Sequence, residues 1–163
     1  MTASRKLLLF GGLTLAALGM FYGLYYALFV EHQTLDQMGG SLAKSFSAAA
    51  VRDVSASQSA LHQYGETKYD YVRQVDMHSH WVGLAMLMIL LGVLFDRVHF
   101  REPVRRAIAI CMLAGSVLFP LSVILQTYDH GAIAFKALAV GSSGLVIAGL
   151  AATALGFARS EFA

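Results

Sequence analysis

An all-α, multi-pass membrane fold is the expectation for this chain, a bundle of four transmembrane helices with an amphipathic outer-face helical segment between the first and second. Three observations predict it. The 163 residues are 57% hydrophobic and 13% charged, with a mean hydropathy of +0.61, a balance that soluble domains do not carry. Four apolar runs recur along the chain, each close to the about 20 residues that cross a bilayer's hydrocarbon. The charged residues between the runs segregate by side, as short membrane loops do. The four spans and their connections use nearly the whole chain, so a single membrane domain over residues 1–163 is expected.

The first span is read at residues 7–30. It carries no charge, and Arg5 and Lys6 precede it. Its apolar run exceeds that of a secretory signal, so it is read as an uncleaved anchor. Gly12, Ala16, Gly19, Gly23 and Ala27 follow one another at steps of three and four and mark one helical face. Such a stripe lets helix backbones approach closely in lipid. Tyr22, Tyr25 and Tyr26 sit near the outer end, as an interfacial aromatic belt would.

Residues 31–75 are more polar. Leu35, Met38, Leu42, Phe46 and Ala49 recur at helical spacing, which predicts an amphipathic helix on the outer membrane face or capping the bundle. Gly39-Gly40 is a possible interruption. The composition around residues 55–59 reads as a loop, and Gly65 reads as a break before Thr67, a candidate N-cap. A helix would then run from Lys68 into the second span.

The second span, residues 76–96, joins the richest chemistry to a strongly apolar run, DMHSHWVGLAMLMILLGVLF. Its uncharged core from Trp81 to Phe95 is too short to cross alone, so His80 and His78 must lie at or just outside membrane depth. A titratable side chain there is a functional-site hypothesis by default. The third span, residues 104–128, follows a basic loop and Pro103. It places Cys111, Gly115, Ser122, Gln126 and His130 on one polar stripe, with Pro120 expected to kink it. In the fourth span, residues 132–158, Gly141, Gly144, Ala148 and Ala152 predict a close-packing seam against the first or third span. Lys136 stands one turn in, placed to snorkel or to meet an anion.

Seven of the 12 basic residues (Arg5, Lys6, Arg97, Arg101, Arg105, Arg106 and Arg159) fall on the side of the termini, against three acids, Asp96, Glu102 and Glu161. That side is expected to be cytoplasmic, in a bacterial inner membrane. The net charge of +2 hides this asymmetry, and a nucleic-acid partner has no support. The single cysteine excludes a disulfide framework or a paired-thiol metal motif. No nucleotide loop, metalloprotease or nucleophile-elbow motif is present, and whether the chain is an enzyme stays open.

The opposite, periplasmic side collects five of the six histidines. Three helix ends each bring a histidine with an acid: Glu31 with His32, Asp76 with His78 and His80, and Asp129 with His130. His62 could fold over them. Imidazole with carboxylate is ligand chemistry, and three function classes follow. The first is a redox subunit for respiratory electron transfer, with haem b between His80 and His130 and propionates met by Lys136 or Arg73. His78 and His80 lie about 200° apart around a helix and cannot share one metal. His80 has Asp76 one turn before it to hold its far nitrogen, and Gly83 one turn after it to leave room for a macrocycle. In helix count, and in having histidines on facing helices, the chain resembles four-helix membrane units with bis-histidine haem. It departs from them in lacking a histidine in mid-membrane. The second class is a copper, zinc or iron site drawn from His32, His78, His80, His130, Asp76, Asp129 and Glu31. The third is a non-catalytic accessory or assembly subunit, packed in lipid against other subunits of a membrane complex or further copies of itself.

Overall fold

The computed structural model describes residues 1–159, and Glu161 lies outside them. Helix α1 covers Ala3–Phe29, α2 Glu31–Ala50, α3 Val54–Leu94, α4 Glu102–Leu125 and α5 Ile133–Ala158, with a 3₁₀ turn at Phe95–Arg97 between α3 and α4. Four of them, α1, α3 with its 3₁₀ turn, α4 and α5, are long and apolar enough to cross a membrane. The chain is therefore an all-helical protein with the four-span plan of a multi-pass membrane protein.

The connection between the first two spans differs most from the sequence expectation. No break occurs at Gly65 or Thr67; α3 runs without interruption for 41 residues. Thr67 turns its hydroxyl onto the Gln63 carbonyl, one turn back in the same helix. The chain reverses at residues 51–53 instead, where Arg52 adopts a left-handed φ of 61°. Asp53 then caps α3, its Oδ1 accepting from the Ala56 N–H at 3.0 Å. A glycine inside a helix costs only about 1 kcal/mol, which pairing along the whole helix outweighs.

α2 likewise passes through Gly39-Gly40 unbroken. It continues α1 with a single irregular residue: Val30 N–H still bonds the Tyr26 carbonyl, and Thr34 N–H bonds that of Val30. α1 packs along the C-terminal half of α3, and α2 along the N-terminal half, so the two strokes form one long antiparallel hairpin. Small side chains make the α2–α3 seam. Ser41, Ser45 and Ala60 are buried, and the Ser45 and Ser57 hydroxyls meet at 3.0 Å. Of the predicted apolar line, Met38 and Leu42 are half-buried, whereas Leu35 is 45% and Phe46 72% exposed and Ala49 is exposed as well.

The α1 stripe faces α3 as its spacing predicted. Gly12 lies on Ala85 and Ile89, and Gly19 on Trp81 and Val82, although Ala27 at the end of the stripe is exposed. α4 crosses α1 and α3, and α5 leans chiefly on α4. The α5 seam is Ser142, Val146, Gly149, Thr153 and Gly156. Gly141 and Gly144 meet nothing within 4 Å, so the predicted stripe is one residue out of register. Two apolar cores result, one around Leu8, Met88, Phe95 and Met112, the other around Leu15, Met77, Trp81 and Ala85.

At the end of the termini a polar clasp joins three elements. Asp96 accepts from the Thr2 hydroxyl at 2.6 Å and pairs with Arg5 at 2.8 Å, while Glu102 takes the Ser4 N–H at 2.8 Å and Arg105 at 2.8 Å. Glu102 thus satisfies an N–H left open at the start of α1 while beginning α4.

Candidate functional site

The histidines separate by depth along the helices, and each takes a different role. Measured from Asp96 at about 1.5 Å per residue, His80 stands about 24 Å up α3 and Asp70 about 39 Å. His130, in the turn after α4, bonds through Nε2 to Asp70 Oδ1 at 2.8 Å. His80 packs instead on Phe119 of α4, with ring centroids 4.8 Å apart. Ligands to one haem iron both sit near 2 Å from it, so a separation of about 15 Å in depth does not bring His80 and His130 to one iron.

The His130 junction adds Asp70 and Tyr69 to Gln126, which shares its predicted stripe, and to Arg73. Its ring lies 4.7 Å from the Tyr69 ring, and the Tyr69 hydroxyl donates to Gln126 Oε1 at 3.3 Å. Arg73 lies over the Tyr69 ring, 4.8 Å from its centroid, and reaches Asp76 at 3.7 Å. Asp76 therefore answers Arg73 one turn back, with no bond to His80. A surface depression of about 310 Å³ lies beside Tyr69 and Arg73, lined also by Gly65, Lys68 and Val72. Asp70 could have been found from the sequence, since helical register puts it on the Arg73 and Asp76 side. Its pairing with His130 depends on where α4 ends.

His78 is turned toward α1. Its Nδ1 donates to the Gly19 carbonyl at 2.9 Å, and Gly23 on α1 gives the ring its space, since a Cβ there would fall on the imidazole. His32 and His62 are exposed and sit near acids of their own helices, Asp36 at 3.8 Å and Glu66 at 3.7 Å. Asp129 accepts the Gly131 N–H in its own turn. Glu31 opens α2, and Lys136 is exposed on α5, away from α3. Among the described residues no three His, Cys, Asp or Glu side chains converge to hold a metal ion.

His80 is left with both ring nitrogens unbonded within the described chain. It borders a shallow groove of about 300 Å³ with Ser79, Gly83, Leu84 and Phe119. The Ser79 hydroxyl is already committed to the Val75 carbonyl at 2.9 Å, so the imidazole is the groove's free polar group. A second crevice of about 270 Å³ opens between α1, α3 and α4, lined by Tyr22, Tyr25, Gln74, Thr127 and Tyr128. No known protein family, curated protein or solved structure matches this chain.

Proposed function

We propose that the chain is an accessory subunit of a larger membrane complex, anchored by four spans and engaging its partner through the α2–α3 hairpin. The observation that carries this reading is the apolar line of α2. Leu35 and Phe46 face away from α3, and Val51 and Val54 at the hairpin tip are 76% and 64% exposed. α2 itself is not apolar enough to span a membrane. At about 1.5 Å per residue α3 is about 60 Å long, twice the hydrocarbon thickness, so its N-terminal half and α2 extend clear of the bilayer. Large apolar side chains held on a projecting helical pair fit a protein interface, where burying each contributes about 1.5–3 kcal/mol. The basic residues at the opposite end, Arg97, Arg101 and Arg106 among them, orient that end to the cytoplasm and the hairpin away from it.

The dispersal of the histidines supports this class over a haem held between His80 and His130, because each imidazole except His80 sits close to a polar partner in the chain. A photo-crosslinking side chain placed at Phe46 in native membranes is expected to give one discrete adduct, and one at Lys44, about 200° around the helix, none. Leu35→Asp should reduce the Phe46 adduct. Absence of any adduct at Phe46, with the protein migrating as a monomer on a native gel, would overturn the proposal.

A further inference from the structure

His80 is the one imidazole at membrane depth that the fold leaves uncommitted. Its depth of about 24 Å from Asp96 places it about 6 Å inside the far boundary of a 30 Å hydrocarbon layer. Phe119, its stacking neighbour, stands about 26 Å from Glu102 along α4, so both helices give the same level. An unbonded imidazole at that level is costly and calls for a hydrogen-bonding partner.

The groove restricts what that partner can be. It opens on the outside of the helix bundle at hydrocarbon depth, so its occupant arrives through the lipid. Gly83, one turn from His80, has no atom within 4 Å of where a Cβ would stand, and Leu84 and Phe119 supply apolar walls. A flat apolar body carrying one hydrogen-bond acceptor suits this surface. Phospholipid ester carbonyls lie at the edge of the hydrocarbon, above His80, whereas a ring on an isoprenoid or alkyl tail can rest at its level.

We infer that the groove of Ser79, His80, Gly83, Leu84 and Phe119 binds the head ring of a lipid-soluble quinone, with His80 donating a ring N–H to one quinone carbonyl. The tail would lie along the α3–α4 surface in lipid. This rests on α3 and α4 spanning the membrane and is independent of what docks on the hairpin.

Trp81, the sole tryptophan, follows His80 in α3 and packs on Tyr22 behind the groove, so quenching of its fluorescence is the readout for a quinone ring bound there. Full-length protein in nanodiscs is titrated with a decyl-substituted benzoquinone. Saturable quenching is expected. His80→Leu should weaken the midpoint roughly five- to tenfold, the worth of one hydrogen bond, while His80→Gln, which keeps a donor, should retain most of the affinity. Gly83→Leu, whose Cβ stands in open space, puts bulk into the groove and should abolish saturation while leaving the thermal midpoint close to that of the parent protein. Quenching that rises linearly with quinone in the parent protein would overturn the inference, as would saturation unchanged in both His80→Leu and Gly83→Leu. A His80 ring ¹⁵N resonance that shifts between ester and ether lipids and ignores quinone would assign the groove to phospholipid, which also overturns it.

Discussion

Single residues decide where this chain bends, packs closely and keeps chemistry free. Asp53 is the sharpest case. Its carboxyl is held below the ordinary carboxylate value, chiefly by the Ala56 N–H and then by the Ser55 hydroxyl. A lowered folded value means that the cap's contribution is present above the unfolded value and lost as pH falls through the folded one. Exchange protection of the Ala56 amide, corrected for intrinsic rate, should therefore hold above about pH 5 and decline in stronger acid. Asp53→Asn should remove the pH dependence while keeping the cap. Gly115 tests close packing: a Cβ there would stand 2.6 Å from the Ser142 carbonyl oxygen of α5. Gly115→Ala should cost about 1–3 kcal/mol in detergent unfolding, and Gly141→Ala, which meets nothing, close to none. Tyr26 hides a hydroxyl that finds no hydrogen-bond partner among the described residues. Tyr26→Phe should leave thermal stability unchanged or raise it, because an unpaired buried hydroxyl costs about 1–3 kcal/mol.

At the scale of elements, the spans were legible because a run of apolar residues matched to bilayer thickness has few other readings. α1 even showed its contact face with α3, since Gly12, Gly19 and Gly23 occupy a single stripe. α5 did not, because small residues lie on two adjacent stripes and hydropathy does not choose between them. Contact with α4 does, through Ser142 and Gly149, as does contact of Gly156 with Val98 and Phe100 in the loop before α4. The hairpin was misread for a related reason. Gly65 carries the local signal of a break, whereas the real reversal depends on Arg52 tolerating a left-handed backbone and on Asp53 capping the next helix. Serines pair α2 with α3, so Leu35 and Phe46 of the predicted stripe remain outside. The clasp of Asp96, Glu102, Arg5 and Arg105 was visible in the sequence only as charge balance. Glu102→Ala should lower stability by about 1 kcal/mol, an effect that high salt shrinks in the parent protein, because the pairs are partly exposed.

For the whole molecule, topology told which histidines share a side but not how far along it they stand. Ten residues of helix separate Asp70, which holds His130, from His80, and that rise divides one apparent cluster into the His130 junction and the His80 groove on Phe119. The long α3 joins the two regions: its C-terminal half packs with α1 and α4 in the spans, and its N-terminal half carries α2 beyond them. The proposed docking arm should be covered in the cell and open once isolated. In a Cys111→Ser background, Phe46→Cys and Lys44→Cys are challenged with a membrane-impermeant maleimide, first in native membranes and then after purification into nanodiscs. Phe46→Cys is predicted to be protected in native membranes and labelled after purification, with Lys44→Cys labelled in both. Equal labelling of Phe46→Cys in the two settings would contradict a partner on the hairpin.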